Sequence, residues 1–419
     1  MDHFTLIDGE LHAENVPLAR IAAEVGTPVY VYSTATFQRH ARAFRDGLAT
    51  VPRARVAFAI KANPNLAVLR LLANEGFGAD VVSGGELARA LAAGMPPESI
   101  VFSGVGKSRA ELDQGLSAGI GQFNLELEEE GVVLSELAAA RGLRAPATLR
   151  VNPDVDAGTH EKISTGRAEN KFGVPISEAR AIFDRLAPLP GLNLRGVAVH
   201  IGSQLQSLEP LERAYARVGE LVAELRAAGH PITHVDLGGG LGVPYRTTDT
   251  PPSPAEFGEM VARVTRDWDV ELMFEPGRVI AANAGVLLTQ VLWVKPGVVH
   301  PWVIVDAAMN DLARVALYDA YHDFVAVKPS GATMTANVAG PVCESSDVFA
   351  KGREIDVVEA GDLAVLRSAG AYGATMASTY NSRPLVPEVL VSGDTYAVVA
   401  GRISAETIMA EEHVPDWLK

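Results

Sequence analysis

The chain repeats one cadence eight times: a short apolar run, a turn, then an amphipathic stretch. The runs are 55–60 (RVAFAI), 79–82 (ADVV), 100–103 (IVFS), 120–124 (IGQFN), 147–152 (ATLRVN), 194–200 (LRGVAVH), 234–237 (HVDL) and 271–275 (ELMFE). Helical spacing of apolar residues fills 65–75, 84–93, 108–117, 127–141, 175–187, 206–228 and 254–267. A strand that feeds a helix and then another strand implies parallel pairing, because the crossover carries the chain back to the same end of the sheet. Eight such units in roughly 250 residues match a closed (β/α)8 TIM-like barrel. An open doubly wound sheet is the competing architecture.

After Arg278 the cadence stops. Residues 286–295, 301–306, 335–338, 363–367 and 395–400 are β-branched-rich runs divided by Gly, Pro and Asp turns. That pattern predicts a second, all-β domain of sandwich or barrel-like type, so the fold class is α/β plus β. Strand-like pieces at the N-terminus (FTLI, VYVY) lie outside the barrel cadence. The expected division is a barrel over 33–280 and a β domain built from 1–32 and 281–419.

Composition narrows the partners. The formal charge of −15 argues against nucleic acid or an anionic membrane, which need a basic face. The start, MDHFTLIDGE, lacks the basic region and apolar core of a secretory signal. The most apolar segment, 286–305, is interrupted by Lys295 and Pro296, so no membrane span is expected. The single cysteine, Cys343, excludes an intrachain disulfide framework and fits a reducing cytoplasm. No Cys/His spacing suits a structural zinc, and no metal is expected.

In a barrel, side chains just past the strands converge on one face, where an active site forms. Read in order, those positions are Lys61, Asp80 with Ser83, Arg150 with Asn152, His200 with Ser203, Gly238–Gly240, and Glu275 with Arg278. Lys61 is one of eight lysines against 28 arginines, and it closes an apolar strand. A neutral lysine amine can attack an aldehyde to form a Schiff base, although a lysine reaching from a strand end to water is the ordinary alternative. The run DLGGGLG at 236–242 lets backbone N–H groups approach a phosphate, or is a plain tight turn. His200 offers a flat ring, Glu275 an acid for a ring nitrogen, and Arg278 a fork for an anion. A Schiff-base lysine, a stacking ring, a phosphate cradle and an acid for a pyridine nitrogen are together what pyridoxal phosphate requires.

The stretches AFAIKANPN, ADVVSGGEL, LRVNPD, THEKISTGRAENKFGV, HIGSQ, DLGGGLG, EPGR, AAMNDLARVALYDAYH, GPVCESSD and AGAYGATMASTYNSRP follow one another from about 57 to 384. In this set the chain resembles the diaminopimelate decarboxylases, a branch of the barrel-type pyridoxal-phosphate decarboxylases that also handle ornithine and arginine. EPGR and HIGS are shared across that group, whereas ISTG…ENKFG and MNDLxRxALY look like the diaminopimelate branch.

The resemblance implies pyridoxal 5'-phosphate as cofactor, Lys61 as its Schiff-base lysine and His200 as the ring stacker. It places Ser203, Gly239, Gly240, Gly277 and Tyr372 around the phosphate and Glu275 on the pyridine nitrogen. Asp80, Glu86 and Arg150 would form a supporting shell. Arg278, Arg314, Tyr318, Glu344 and Tyr372 would hold the substrate, meso-diaminopimelate. Cys343 would donate a proton at Cα from the partner subunit of a homodimer with shared sites. The products would be L-lysine and CO2, in the last step of lysine biosynthesis.

Arg314 and Arg278 suit a distal carboxylate and Glu344 an ammonium, so ornithine or lysine offered as substrate would leave arginines unpaired. The 153–173 loop is expected to border this pocket. The alternatives are a related decarboxylase acting on ornithine, arginine or carboxynorspermidine, a non-catalytic cofactor-handling relative, and a Schiff-base aldolase. The first should lack the Arg314/Tyr318 pair, the second a β domain or Lys61 and Cys343. The third needs no pyridine partner.

Overall fold

The computed structural model describes residues 2–156 and 171–418. The chain forms two compact units: Met1–Phe37 with Tyr245–Asp249 and Ala281–Lys419, and Gln38–Pro244 with Thr250–Ile280.

The second of these is an eight-stranded parallel barrel. Its strands are β1 (Ala54–Ala59), β2 (Gly78–Val81), β3 (Ile100–Phe102), β4 (Gln122–Leu125), β5 (Ala145–Asn152), β6 (Leu192–Ala198), β7 (His234–Asp236) and β8 (Glu271–Phe274). Each pairs in parallel with the next, and β8 pairs with β1, which closes the ring and rules out the open sheet. Closure leaves no unpaired strand edge. Among the described residues seven helices connect the strands, from Leu66–Asn74 to Pro254–Val264. The longest, Glu209–Ala227, buries Leu211, Ala214, Tyr215, Val218, Leu221, Val222 and Leu225. That three-and-four spacing is the stripe a helix needs to lie on a sheet.

The helix Thr34–Gly47 precedes β1 and was absent from the sequence reading. Its buried Phe37, Ala41 and Phe44 recur at helical spacing, and Phe44 stacks on Phe257 of Pro254–Val264 at 6.0 Å. Local start signals fix several of the other helices. Ser108 with Glu111 and Ser253 with Glu256 form reciprocal capping boxes, and Ser83 and Asn65 each accept a first-turn N–H. Inside the ring, Ala57 of β1, Val101 of β3 and Met273 of β8 pack as a small apolar layer.

The other unit is mostly β. Its central strand, Gly285–Lys295, pairs antiparallel with Val29–Ser33, Trp302–Val305 and Leu363–Leu366. Val29–Ser33 also pairs in parallel with Glu388–Ser392, so the N-terminal segment is built into this sheet. Val29, Val31, Val286, Leu288, Val365, Val389 and Val391 form its core with Phe4, Leu11 and Ile21. Alternation of valine and leucine along these strands turns one face inward. The unit is not purely β: Leu18–Val25 is a helix whose Leu18 and Ile21 face that core. Among the described residues no helix is long and apolar enough to cross a membrane.

Candidate active site

The polar residues at the C-terminal ends of the barrel strands lie together at one mouth. Lys61 follows β1 on a 3-10 turn, Ile60–Ala62, which ends where Asn63 Oδ1 accepts the Asn65 N–H and Asn65 caps the next helix. The ANPN sequence thus stops the strand and turns the lysine over the barrel. Its Nζ donates to Asp80 Oδ2 at 3.0 Å. Asp80 lies within β2, one residue before its end, and is fully buried, and its Oδ1 is a buried oxygen with no hydrogen-bond partner. Glu86 sits in the first turn of Gly84–Ala92, where its carboxylate accepts the Val82 N–H at 2.8 Å; burial pushes its pKa up.

His200 follows β6. Its Nδ1 accepts the Gly239 N–H at 3.2 Å, which leaves Nε2 as the protonated nitrogen of a neutral ring. Burial first, then Arg150 and Lys61, holds its pKa well below the ordinary value, so the ring is uncharged at neutral pH. Gly238–Gly240 forms the turn after β7. A Cβ on Gly239 would lie 2.2 Å from the Glu275 carbonyl, and one on Gly240 2.5 Å from the Gly202 carbonyl. Only glycine fits this approach of three backbone segments. Arg278 begins the turn of helix Arg278–Ala281 directly after Gly277 and donates to Ser203 Oγ through Nη2 at 3.2 Å.

Glu275 follows β8 and accepts from Ser103 Oγ and Asn124 Nδ2, both at 3.3 Å. Burial, then Asp236 and Asp80, drives its pKa well above the usual carboxylate range. Arg150 of β5 pairs with Glu126 at 2.7 Å, and Glu126 also accepts the Gly173 N–H at 2.7 Å. Arg150 further rests on the Phe172 ring at 4.9 Å. The Lys171-Phe172-Gly173 end of the ENKFG stretch is therefore tied to the mouth by Arg150 and Glu126. Residues 157–170, where most of the expected pocket-bordering loop falls, lie outside the described residues.

The substrate-holding residues expected beyond the barrel belong to the β unit. Arg314 and Tyr318 begin and end a single helical turn, Arg314–Tyr318. Arg314 is buried, and its Nη1 lies 2.9 Å from His322 Nε2. His322 Nδ1 donates to the Arg367 carbonyl at 2.8 Å, so Nε2 is the acceptor for Arg314. The guanidinium also lies over the Tyr245 ring at 4.9 Å. Beside this turn, Leu312 is buried and Leu317 is exposed. Cys343 is exposed, and its N–H donates to Asn381 Oδ1 at 3.1 Å. Glu344 accepts from the Tyr380 hydroxyl at 2.5 Å. Tyr372 has a left-handed backbone, φ 56°, in the AGAYGA turn.

Several residues of these clusters escaped the sequence reading: Glu126, Ser103, Gln122, Asn124 and Asp236 in the barrel, and Tyr245, His322 and Tyr380 in the β unit. The barrel group did leave a signal. Gln122, Asn124 and Glu126 alternate along β4 and its end, which puts three polar side chains on one face of an otherwise apolar strand.

These residues fit a pyridoxal phosphate. An amine beside a buried acid with an unmet oxygen, a backbone cradle that any Cβ would fill, a neutral ring and an acid whose pKa burial raises suit its aldehyde, phosphate, ring face and ring nitrogen.

Residues 34–282 match the family model for the pyridoxal-dependent decarboxylase, pyridoxal binding domain. Diaminopimelate decarboxylase of Zymomonas mobilis is 51% identical over 418 residues, covering 99% of both chains. That of Vibrio cholerae is 48% identical over 417 residues, again 99% of each. Among solved structures, diaminopimelate decarboxylase from M. jannaschii in complex with L-lysine superposes with a TM-score of 0.94 at 37% identity, covering all of both chains. The Helicobacter pylori protein, also complexed with L-lysine, gives 0.90 at 38% identity and covers 94% of this chain and 98% of its own. The chain belongs to the diaminopimelate decarboxylase family of pyridoxal-dependent decarboxylases.

Proposed function

We propose that the chain decarboxylates meso-diaminopimelate to L-lysine and CO2 with pyridoxal 5'-phosphate. The observation that carries this reading is Lys61 seated 3.0 Å from buried Asp80, at a barrel mouth that also holds neutral His200, Glu275 and the Gly238–Gly240 cradle. When bound, the cofactor supplies an aldehyde for the amine and an electron sink for the carbanion left by CO2.

The chain's own residues do the rest. Asp80 orients the Lys61 amine, with Glu86 beside it. Arg150, paired with Glu126, and His200 stand in the shell around this amine. The His200 ring is held flat by the Gly239 N–H and offers an uncharged face to an aromatic ligand. Ser203, Gly239, Gly240, Gly277 and Tyr372 would receive the phosphate. Arg278, on Ser203, would bridge the phosphate region and the substrate. Glu275 would hold a proton at the ring nitrogen.

Substrate choice is assigned to Arg314, Tyr318, Glu344 and Tyr372. A buried guanidinium costs less when an anion meets it, which favours a substrate with a carboxylate at each end. Glu344 is the acceptor for the distal ammonium. Cys343 would return a proton to the carbon that loses CO2, and we assign it to the partner subunit of a homodimer with shared sites. The division of labour is then a cofactor barrel over 33–280 and a substrate-reading β domain over 1–32 and 281–419. A lone exposed cysteine suits a cytoplasmic enzyme.

Incubation with meso-diaminopimelate, its LL isomer and ornithine in parallel tests this. Lysine and CO2 in equal amounts from the meso compound alone is the expected result. Turnover of ornithine in preference would overturn it.

A further inference from the structure

Beneath the mouth, the barrel lumen holds a second acid for which the expected chemistry has no use. Asp236 ends β7, is 1% exposed, and its Oδ1 accepts the Gly238 N–H at 2.9 Å. Its Oδ2 accepts from Gln122 Nε2 and Asn124 Nδ2, each at 3.0 Å. Both donors stand on β4, which is not a neighbour of β7 in the ring, so these bonds cross the lumen. The same Asn124 nitrogen reaches Glu275 Oε1 at 3.3 Å and Ser103 Oγ at 3.0 Å.

The orientation of Asn124 is fixed from its other end. Its Oδ1 accepts from Gln122 at 2.8 Å and from Thr148 Oγ1 at 2.5 Å, so its NH2 must face the two acids. One Asn124 nitrogen thus bridges an oxygen of each acid, and burial, reinforced at Glu275 by Asp236, pushes both carboxyls up. Two acids held this close by one amide favour a single proton between them, because two adjacent carboxylates repel. The amides satisfy Asp236 without bringing a cation to it. The pair is therefore built to hold one negative charge and one proton.

We propose that Asp236, tied through Asn124, is a positioning residue for Glu275 and half of a shared-proton pair that protonates a pyridine nitrogen resting on Glu275. The O–H bond on Glu275 breaks and an N–H bond forms on the ring. Two carboxylates then flank one cation, and the total charge is unchanged. The second carboxylate makes the protonated ring more favourable than Glu275 alone would. This rests on the assignment of Glu275 to the ring nitrogen.

The test uses the full-length enzyme loaded with pyridoxal phosphate or with its carbon analogue, in which CH replaces the ring nitrogen. Dissociation constants of both are measured by equilibrium dialysis for wild type and Asp236→Asn. Wild type should prefer the natural cofactor, and Asp236→Asn should narrow that preference by about tenfold or more, the equivalent of one pKa unit at the nitrogen. An unchanged preference overturns the proposal, and so does equal weakening of both ligands, which is what a merely structural residue would cause. If wild type shows no preference, the Glu275 assignment itself falls, a result distinct from failure of the Asp236 inference. Should Asp236→Asn not fold, Asn124→Ser removes the amide that ties the acids and carries the same expectation and the same refutation.

Discussion

Replacing Arg314 with alanine should separate substrate recognition from cofactor binding. Arg314 is 5% exposed, and its guanidinium lies against His322 Nε2 and over the face of Tyr245. His322 is locked as an acceptor by the Arg367 carbonyl, which orients the guanidinium. A preorganised arginine loses little entropy on meeting a carboxylate. Removing a charge-assisted, bidentate contact of that kind costs roughly 2–4 kcal/mol, or about 30- to 1000-fold in kcat/KM. The loss should fall on meso-diaminopimelate and, in parallel, on inhibition by L-lysine, which keeps the distal carboxylate. Inhibition by cadaverine, which has no carboxylate, should not change. The absorption spectrum of the bound cofactor should also be preserved, since Lys61, His200 and Glu275, which would meet its aldehyde and ring, belong to the barrel. Steady-state kinetics with the two inhibitors decides the matter. If cadaverine weakens as much as lysine, or if neither moves, Arg314 does not read a carboxylate and the substrate assignment loses its support.

Lys61→Ala should abolish the lysine adduct trapped by borohydride together with turnover, and a peptide map that still shows a reduced adduct at that site would refute the assignment. Mixing inactive Lys61→Ala with inactive Cys343→Ala should restore about a quarter of wild-type activity if subunits re-pair at random and sites are shared; no recovery despite proven subunit exchange argues against sharing. Gly239→Ala puts a methyl group 2.2 Å from the Glu275 carbonyl, so cofactor affinity should fall about tenfold or more, read by dialysis. Asp311 in the β unit is pushed up to about 6 by burial, so the folded state holds its proton more tightly than the unfolded chain does. Its contribution to stability is therefore greatest in acid and is lost as pH rises from about 4 through about 6, a swing of about 3 kcal/mol. Urea unfolding at pH values across that window should show the decline in wild type and a flatter profile in Asp311→Asn.

The barrel was legible because its period is local. Seven connecting helices and eight strands fall within a few residues of their expected spans, since each apolar run is fixed by its own turn and cap. Thr34–Gly47 was missed because its Phe37, Ala41 and Phe44 stripe sits beside the β-rich VYVYS and reads as a continuation of it. Leu18–Val25 was missed for a related reason, lying between strand-like segments. In the β unit the pairing of Val29–Ser33 with Glu388–Ser392 joins residues some 350 positions apart, and nothing in either segment names the other. Of the site, sequence order found the residues at strand ends, where a polar side chain interrupts an apolar run. It did not find Asp236, whose role depends on Asn124 reaching across the lumen, nor His322, which acts through Arg314. Such partners are set by closure of the ring and by tertiary contact, and leave only an alternation of polar residues behind.

The most direct measurement follows a single carbon. Meso-diaminopimelate labelled only in the carboxyl of its D-configured centre is turned over to completion, and the label is counted in CO2 and in lysine. A distal clamp that holds the L-configured end, with the D end over Lys61, predicts all of the label in CO2 and none in lysine. Label retained in lysine would mean that the opposite end reacts, and the assignment of Arg314 and Lys61 to the two ends of one substrate would be contradicted.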